Sequence, residues 1–402
     1  MQLGVGRSDH RPVPVRVDAF GSAPVLAVAA GKWHTAALTD DGRLWTWGRA
    51  LGVLDCRQDH STPQRVNSPH LSCERAIAVV CGSAHTAALT ESGVLFMWGL
   101  NSNGQLGNNK TEMHAVPMPL PSHVFADHPI SQVALGGSHT AAITNQGTLY
   151  MWGMAEHGQL GFQSSEDILV PKEVDKGRLP ETVASVACGN MHTAAITTQG
   201  HVWTFGYGGM GQLGKNERHV RMVPTLIDPV HFNGAQAVMV ACGNSHTCAV
   251  CANGLLYSFG WNLQSQLGLG DYEDRLIPTI VQSLKNRLVV SAAAGHSHTC
   301  VVTDDGRLFT WGFNVFGRLG HGDEDPLTLP KEVEVHFLEG ARVGRSRRIN
   351  ADMALAFACV THPRLGNSSI FGSILGELVQ RIIEAGNAWP SRWRGGGGGA
   401  SG

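Results

Sequence analysis

Six histidines hold one repeated position along the 402-residue chain: His34, His85, His139, His192, His246 and His298. Imidazole ligates metals and carries protons near neutral pH, so six equivalent rings are first a candidate for zinc or acid–base chemistry. Their spacing argues against it. They lie 51 to 54 residues apart, each in its own copy of a repeat, and metal–nitrogen bonds of about 2 Å cannot be met from separate modules at once. Each ring is expected instead to hydrogen-bond backbone inside its own module. Cys248-Ala249-Val250-Cys251 has CxxC spacing. On a strand, positions three apart face opposite ways, so two ordinary buried thiols are expected. The carboxylate pair Asp304-Asp305 is explained by its place in a turn ending at Gly306. The sequence carries no nucleophile elbow, zincin helix, phosphate-binding lysine loop or kinase signature. No catalytic, metal or cofactor-binding residue is assigned, and an enzyme is not expected.

The elements that position these residues are themselves repeated. Gly-x-x-His-Thr begins at Gly31, Gly82, Gly136, Gly189, Gly243 and Gly295. In the sixth copy, the segment Ala294 to Thr303 is short, β-branched and apolar and reads as a strand. Asp304-Asp305-Gly306 closes a hairpin, and the next segment alternates, placing Phe309 and Trp311 on one face. Every copy has that pair: Trp45/Trp47, Phe96/Trp98, Tyr150/Trp152, Trp203/Phe205, Tyr257/Phe259 and Phe309/Trp311. Large rings at a fixed strand position predict packing between neighbouring modules. A glycine-rich loop follows, as in Asn101 to Gly107. It opens no helix, so it reads as a turn and not a phosphate cradle. A Pro/Val stretch such as Leu169 to Val174 suits an outer strand. Four strands per unit, repeated radially, make a β-propeller.

Gly-x-x-His-Thr, Trp-Gly and Gly-Gln-Leu-Gly, recurring at about 52 residues, together resemble the regulator of chromosome condensation repeat. The resemblance covers roughly residues 1–360 and implies an all-β, seven-bladed propeller. Six copies are clear. Asn350 to Phe357 stands at the seventh interval and keeps the small, apolar pattern without the Gly or the His-Thr. Gln2-Leu3-Gly4 reads as the end of a loop whose front is missing. Both termini are therefore expected to build the seventh blade, with an N-terminally incomplete sequence as the alternative. The loop after Trp47 is also eroded.

Composition bounds the partners. A hydrophobic fraction of 43%, with 50 glycines and 15% charged residues, fits strands and turns better than disorder. A net charge of -2 gives no strong nucleic-acid signal. Arg342, Arg345, Arg347 and Arg348 form the longest basic run, a solvated loop or an interaction patch. Nine cysteines without an apolar leader point to a cytoplasmic or nuclear compartment, and no run spans a membrane. The propeller is assigned to 1–361 and a tail with an amphipathic helix (Ile374 to Ile383) to 362–394. A glycine-rich disordered end takes 395–402.

The resemblance implies a protein-interaction module that binds a partner through variable loops on one face. It also admits nucleotide exchange on a Ran-like small GTPase, and the tail helix admits a ubiquitin-pathway adaptor. Light-sensing members carry clustered tryptophans beside the repeat histidine. Here only Trp33 stands there, against Ala84, Ser138, Met191, Ser245 and Ser297.

Overall fold

The computed structural model describes residues 1–6, 10–21, 23–49, 58–71 and 73–334. These residues form six antiparallel sheets of four strands, each sheet following chain order from its inner to its outer edge. The blades span 25–65, 76–119, 130–173, 183–226, 237–280 and 289–332, and are numbered 1 to 6. In blade 3 the strands are β9 (Ile130–Leu135), β10 (His139–Thr144), β11 (Leu149–Gly153) and β12 (Ile168–Glu173). Gly147, at φ 73°, closes the β10–β11 hairpin, a conformation that glycine adopts without steric cost. The pairing His139↔Gly153 sets the register.

The sequence pattern explains the layers. The second strands consist of His-Thr followed by small apolar residues, and every position in them is buried. Outer strands are the most exposed, with one proline turned inward, as in Ile168–Glu173, where Pro171 is buried and Val170, Lys172 and Glu173 face solvent. The aromatic pairs close the seams. Tyr150 and Trp152 of blade 3 pack into one cluster with Val80, Leu89, Leu95 and Met97 of blade 2. Trp47, Trp98, Trp152, Phe205, Phe259 and Trp311 are all fully buried.

Residues 1–6 and 10–20 lie against two different blades. The Gln2 carbonyl accepts from Thr35 Oγ1 at 2.9 Å and Trp47 Nε1 at 2.6 Å. The Gln105 carbonyl serves Thr140 and Trp152 in the same way. Phe20 packs edge-on to Trp45 as Phe125 packs on Tyr150. At blade 6, Gly322 N donates to Pro12 O, just as Asn109 N donates to Leu169 O of an outer strand. Among the described residues there are six blades where the repeat family implies seven. Asn350 to Phe357, the four-arginine run, the tail helix, the glycine-rich end and the eroded loop at 50–57 fall outside the described residues.

Candidate functional site

The histidines form a belt that links blade to blade. His139 Nε2 lies 3.0 Å from Thr193 Oγ1 in blade 4. That hydroxyl donates its own proton to the Gln159 carbonyl at 2.8 Å. With its proton committed, the hydroxyl accepts from the imidazole, which fixes the Nε2–H tautomer. The same relay runs from His85 through Thr140 to Gln105, from His192 through Thr247 to Gln212, and from His246 through Thr299 to Gln266. His34 reaches Thr86 at 2.8 Å.

The expectation of a backbone partner within the same blade is thus corrected. The His139 carbonyl already takes the Gly136 amide at 2.8 Å, and the ring projects across the seam to the next blade. Repeat glycines make room for it. A Cβ on Gly136 would sit 2.2 Å from His139 Cε1 and 2.8 Å from Gly189 O. The threonine and the glutamine carbonyl went unassigned in the sequence. Their signal was present, since Thr follows every one of the six histidines and Gln-Leu-Gly follows in four of the loops.

Burial holds these rings neutral. It lowers the pKa of His34 to about 4, and that of His85, His139, His192 and His246 to about 3. His298 is pushed well below its usual range by burial and by the Arg318 charge. Adjacent belt imidazoles add to the effect, as His34 does at His85. A neutral ring whose Nε2–H is already donated has no proton to pass on near pH 7.

Cys248 and Cys251 pack into different seams, the first with Trp311 and the second with Phe259. Burial pushes both thiols up to about 12, the reverse of a reactive cysteine. Among the described residues no group of three or more His, Cys, Asp or Glu is disposed to hold a metal. Lys32 Nζ lies 5.3 Å and the Arg49 guanidinium 4.7 Å from the Trp33 ring centroid, and in blade 6 the Arg318 guanidinium lies 4.5 Å from that of Phe313.

The loops between third and outer strands project from the same end as the histidines. In blades 2 to 5 the loop glutamine Oε1 accepts a backbone N–H two residues earlier, as from Asn103 to Gln105 at 2.9 Å. Blade 6 has Arg318 in that place, which can only donate. Its Nε and NH2 groups reach the Val315 carbonyl at 3.1 and 2.9 Å. The 315–316 peptide is turned over in consequence, and Phe316 sits at φ 74°. A bulky residue there is strained by roughly 1–3 kcal/mol. Phe316→Gly should therefore raise stability by about 1 kcal/mol, read as a higher denaturant midpoint with unchanged slope. An unchanged midpoint would show that the strain is no larger than the lost contact of Phe316 with His10, whose ring centroids lie 4.2 Å apart.

A belt of neutral histidines, buried thiols and loops clasped by their own side chains defines a repeat propeller whose shared residues close seams between blades. The chain belongs to the RCC1-like family, whose domain model matches residues 1–355. It is 36% identical over 325 residues to the ultraviolet-B receptor UVR8 of Arabidopsis thaliana, covering 79% of this chain and 71% of that protein. It is 33% identical over 334 residues to the mitochondrial RCC1 domain-containing protein RUG3 of the same plant, covering 81% and 73%. The crystal structure of Prp20p from Saccharomyces cerevisiae matches with a TM-score of 0.69 at 21% identity, over 83% of this chain and 85% of that one. That last likeness is one of fold. The relatives support a regulatory or interaction module, and no described helix is long and apolar enough to cross a membrane.

Proposed function

We propose that this chain is a non-catalytic propeller that binds a protein partner through the variable loops on its histidine-bearing face. The observation carrying this reading is where the repeated side chains are spent. His, Thr, Gln and the aromatic pair are consumed inside the seams, and copy-to-copy variation falls in the projecting loops. Surface loops on a rigid scaffold are the usual seat of recognition.

A seventh unit shared by both termini completes the ring in this reading. Three equivalences support it: the Gln2 carbonyl on blade 1, Pro12 on the blade 6 loop, and Phe20 on Trp45. His298 Nε2 has no partner among the described residues, which fits a seam facing that unit. The buried thiols Cys188, Cys242, Cys248 and Cys251 favour a reducing compartment, cytoplasmic or nuclear.

Prp20p is described as binding Gsp1p and histones, so nucleotide exchange is the reading to separate from simple binding. Affinity capture with the full chain should recover a stoichiometric protein partner that is lost when loops of the histidine face are replaced. Release of labelled GDP from a small-GTPase panel should be unchanged by sub-stoichiometric amounts of the chain. Stimulated release would replace the binding reading with exchange. Capture that survives every loop replacement would move the site elsewhere.

A further inference from the structure

The loops of blades 2, 5 and 6 share one clasp and differ at their tips. An asparagine opening the loop donates to a carbonyl nine residues on: Asn101 to Lys110, Asn262 to Asp271 and Asn314 to Asp323. The residues just after each clasp partner flank this bond on the loop surface. In blade 2 these are Ser102 and Thr111, exposed and polar. In blade 5 they are Leu263 and Tyr272, which are 61% and 56% exposed, and in blade 6 they are Val315, 37% exposed, and Glu324. Blade 2 closes the same clasp with polar tips, so its geometry does not require the apolar ones.

The blade 5 loop adjoins the outer strand into which the blade 6 loop runs, because Gly270 N donates to Thr328 O of Leu327–Glu332. Asp271, Asp274 and Asp323 already have cations: Arg275 at 2.6 Å, Arg218 at 2.9 Å and Lys331 at 4.0 Å. Glu273, Glu324 and Asp325 are exposed and have no ion-pair partner among the described residues. An apolar platform on pre-ordered loops, edged by three uncompensated carboxylates, has a defined complement.

We infer that Leu263, Tyr272 and Val315 form a docking platform for a peptide segment of a protein partner that carries apolar side chains flanked by lysine or arginine. The clasps hold the tips in place before binding, so little loop entropy is lost on contact. The apolar tips supply the contact area, and the three carboxylates select the sign of the partner's charge and speed encounter.

This assignment rests on the interaction reading above, and its test separates the two. A displayed random-peptide library is selected against the full chain. Peptides enriched in Leu, Phe or Trp next to Lys or Arg are expected. Leu263→Ser with Tyr272→Thr copies the blade 2 tips and keeps the clasp. It should weaken the selected peptides by about thirtyfold. Glu273→Gln, Glu324→Gln and Asp325→Asn together should cost about tenfold and flatten the dependence on salt. Selection of acidic peptides, selection of none, or equal retention by both variants would overturn the platform. A captured partner that binds the tip variant as tightly as the parent chain would leave the interaction reading standing and remove this surface from it.

Discussion

Lowering the pH from 7 to 5 should unfold the propeller in one steep transition. Six buried histidines have pKa values lowered by burial, to about 4 for His34, about 3 for four others, and lower than usual for His298. Above pH 6.5 the rings are neutral in both states, so they add no pH dependence. Below 6.5 the unfolded chain takes up protons that the folded chain refuses, and stability falls as pH falls. The slope is about 1.4 kcal/mol per pH unit for each ring, or roughly 8 kcal/mol per unit for six. A domain stable by about 5–15 kcal/mol would be exhausted within one or two units. The lowered carboxylates Asp41, Glu217 and Asp305 act in a separate window, since their contribution is lost only below their ordinary values of 3.8 to 4.5. Circular dichroism against pH, with urea midpoints at each pH, measures both slope and proton uptake. A fold that persists at pH 4, or uptake of one or two protons, would sink this account of the belt.

Gly189→Ala should be among the most damaging single-methyl additions in the molecule. The new Cβ would lie 2.1 Å from His192 Cε1 and 2.2 Å from its Nδ1, with Gly243 O at 2.9 Å behind. The ring cannot retreat freely, because its Nε2 is held by Thr247 Oγ1 at 2.9 Å across the seam. Overpacking costs about 1–3 kcal/mol, and an unpaired buried polar group adds about 1–3 kcal/mol more. The expected loss is therefore about 2–6 kcal/mol. Gly234→Ala is the contrast. Nothing lies within 4 Å of that site, and its φ of 72° alone sets the cost, at about 1 kcal/mol. Chemical denaturation of the two variants reads the difference. Equal losses would mean that the seam accommodates the methyl and that the belt is not tightly packed.

Much of the blade is legible in the sequence. The apolar run Ala294 to Thr303, the Asp304-Asp305-Gly306 turn and the Phe309/Trp311 alternation are short-range signals; β22 (His298–Thr303) takes the second part of that run, whose front ends the preceding strand and turns, and β23 (Leu308–Gly312) carries the alternation. The opposed faces of Cys248 and Cys251 followed from strand periodicity alone. The partner of each histidine did not. Thr193 is 54 residues from His139, and no local pattern says which blade's hydroxyl a ring will meet. Arg318 in place of glutamine was visible, but its effect on Phe316 required seeing that the loop position must accept a hydrogen bond.

By itself the sequence determined the module: four strands, their order, the buried face and the aromatic seam residues, because pleat and turn chemistry act over a few neighbouring residues. Tertiary structure alone decided how modules join. The His–Thr–Gln relay, the Gln2 carbonyl on Trp47 and the bond from the blade 5 loop to the outer strand of blade 6 all cross a seam. A period near 52 residues shows that modules repeat. Which atoms meet across a seam depends on the rotation of one blade against the next, and that is set only when the rings and methyl groups of both faces pack together.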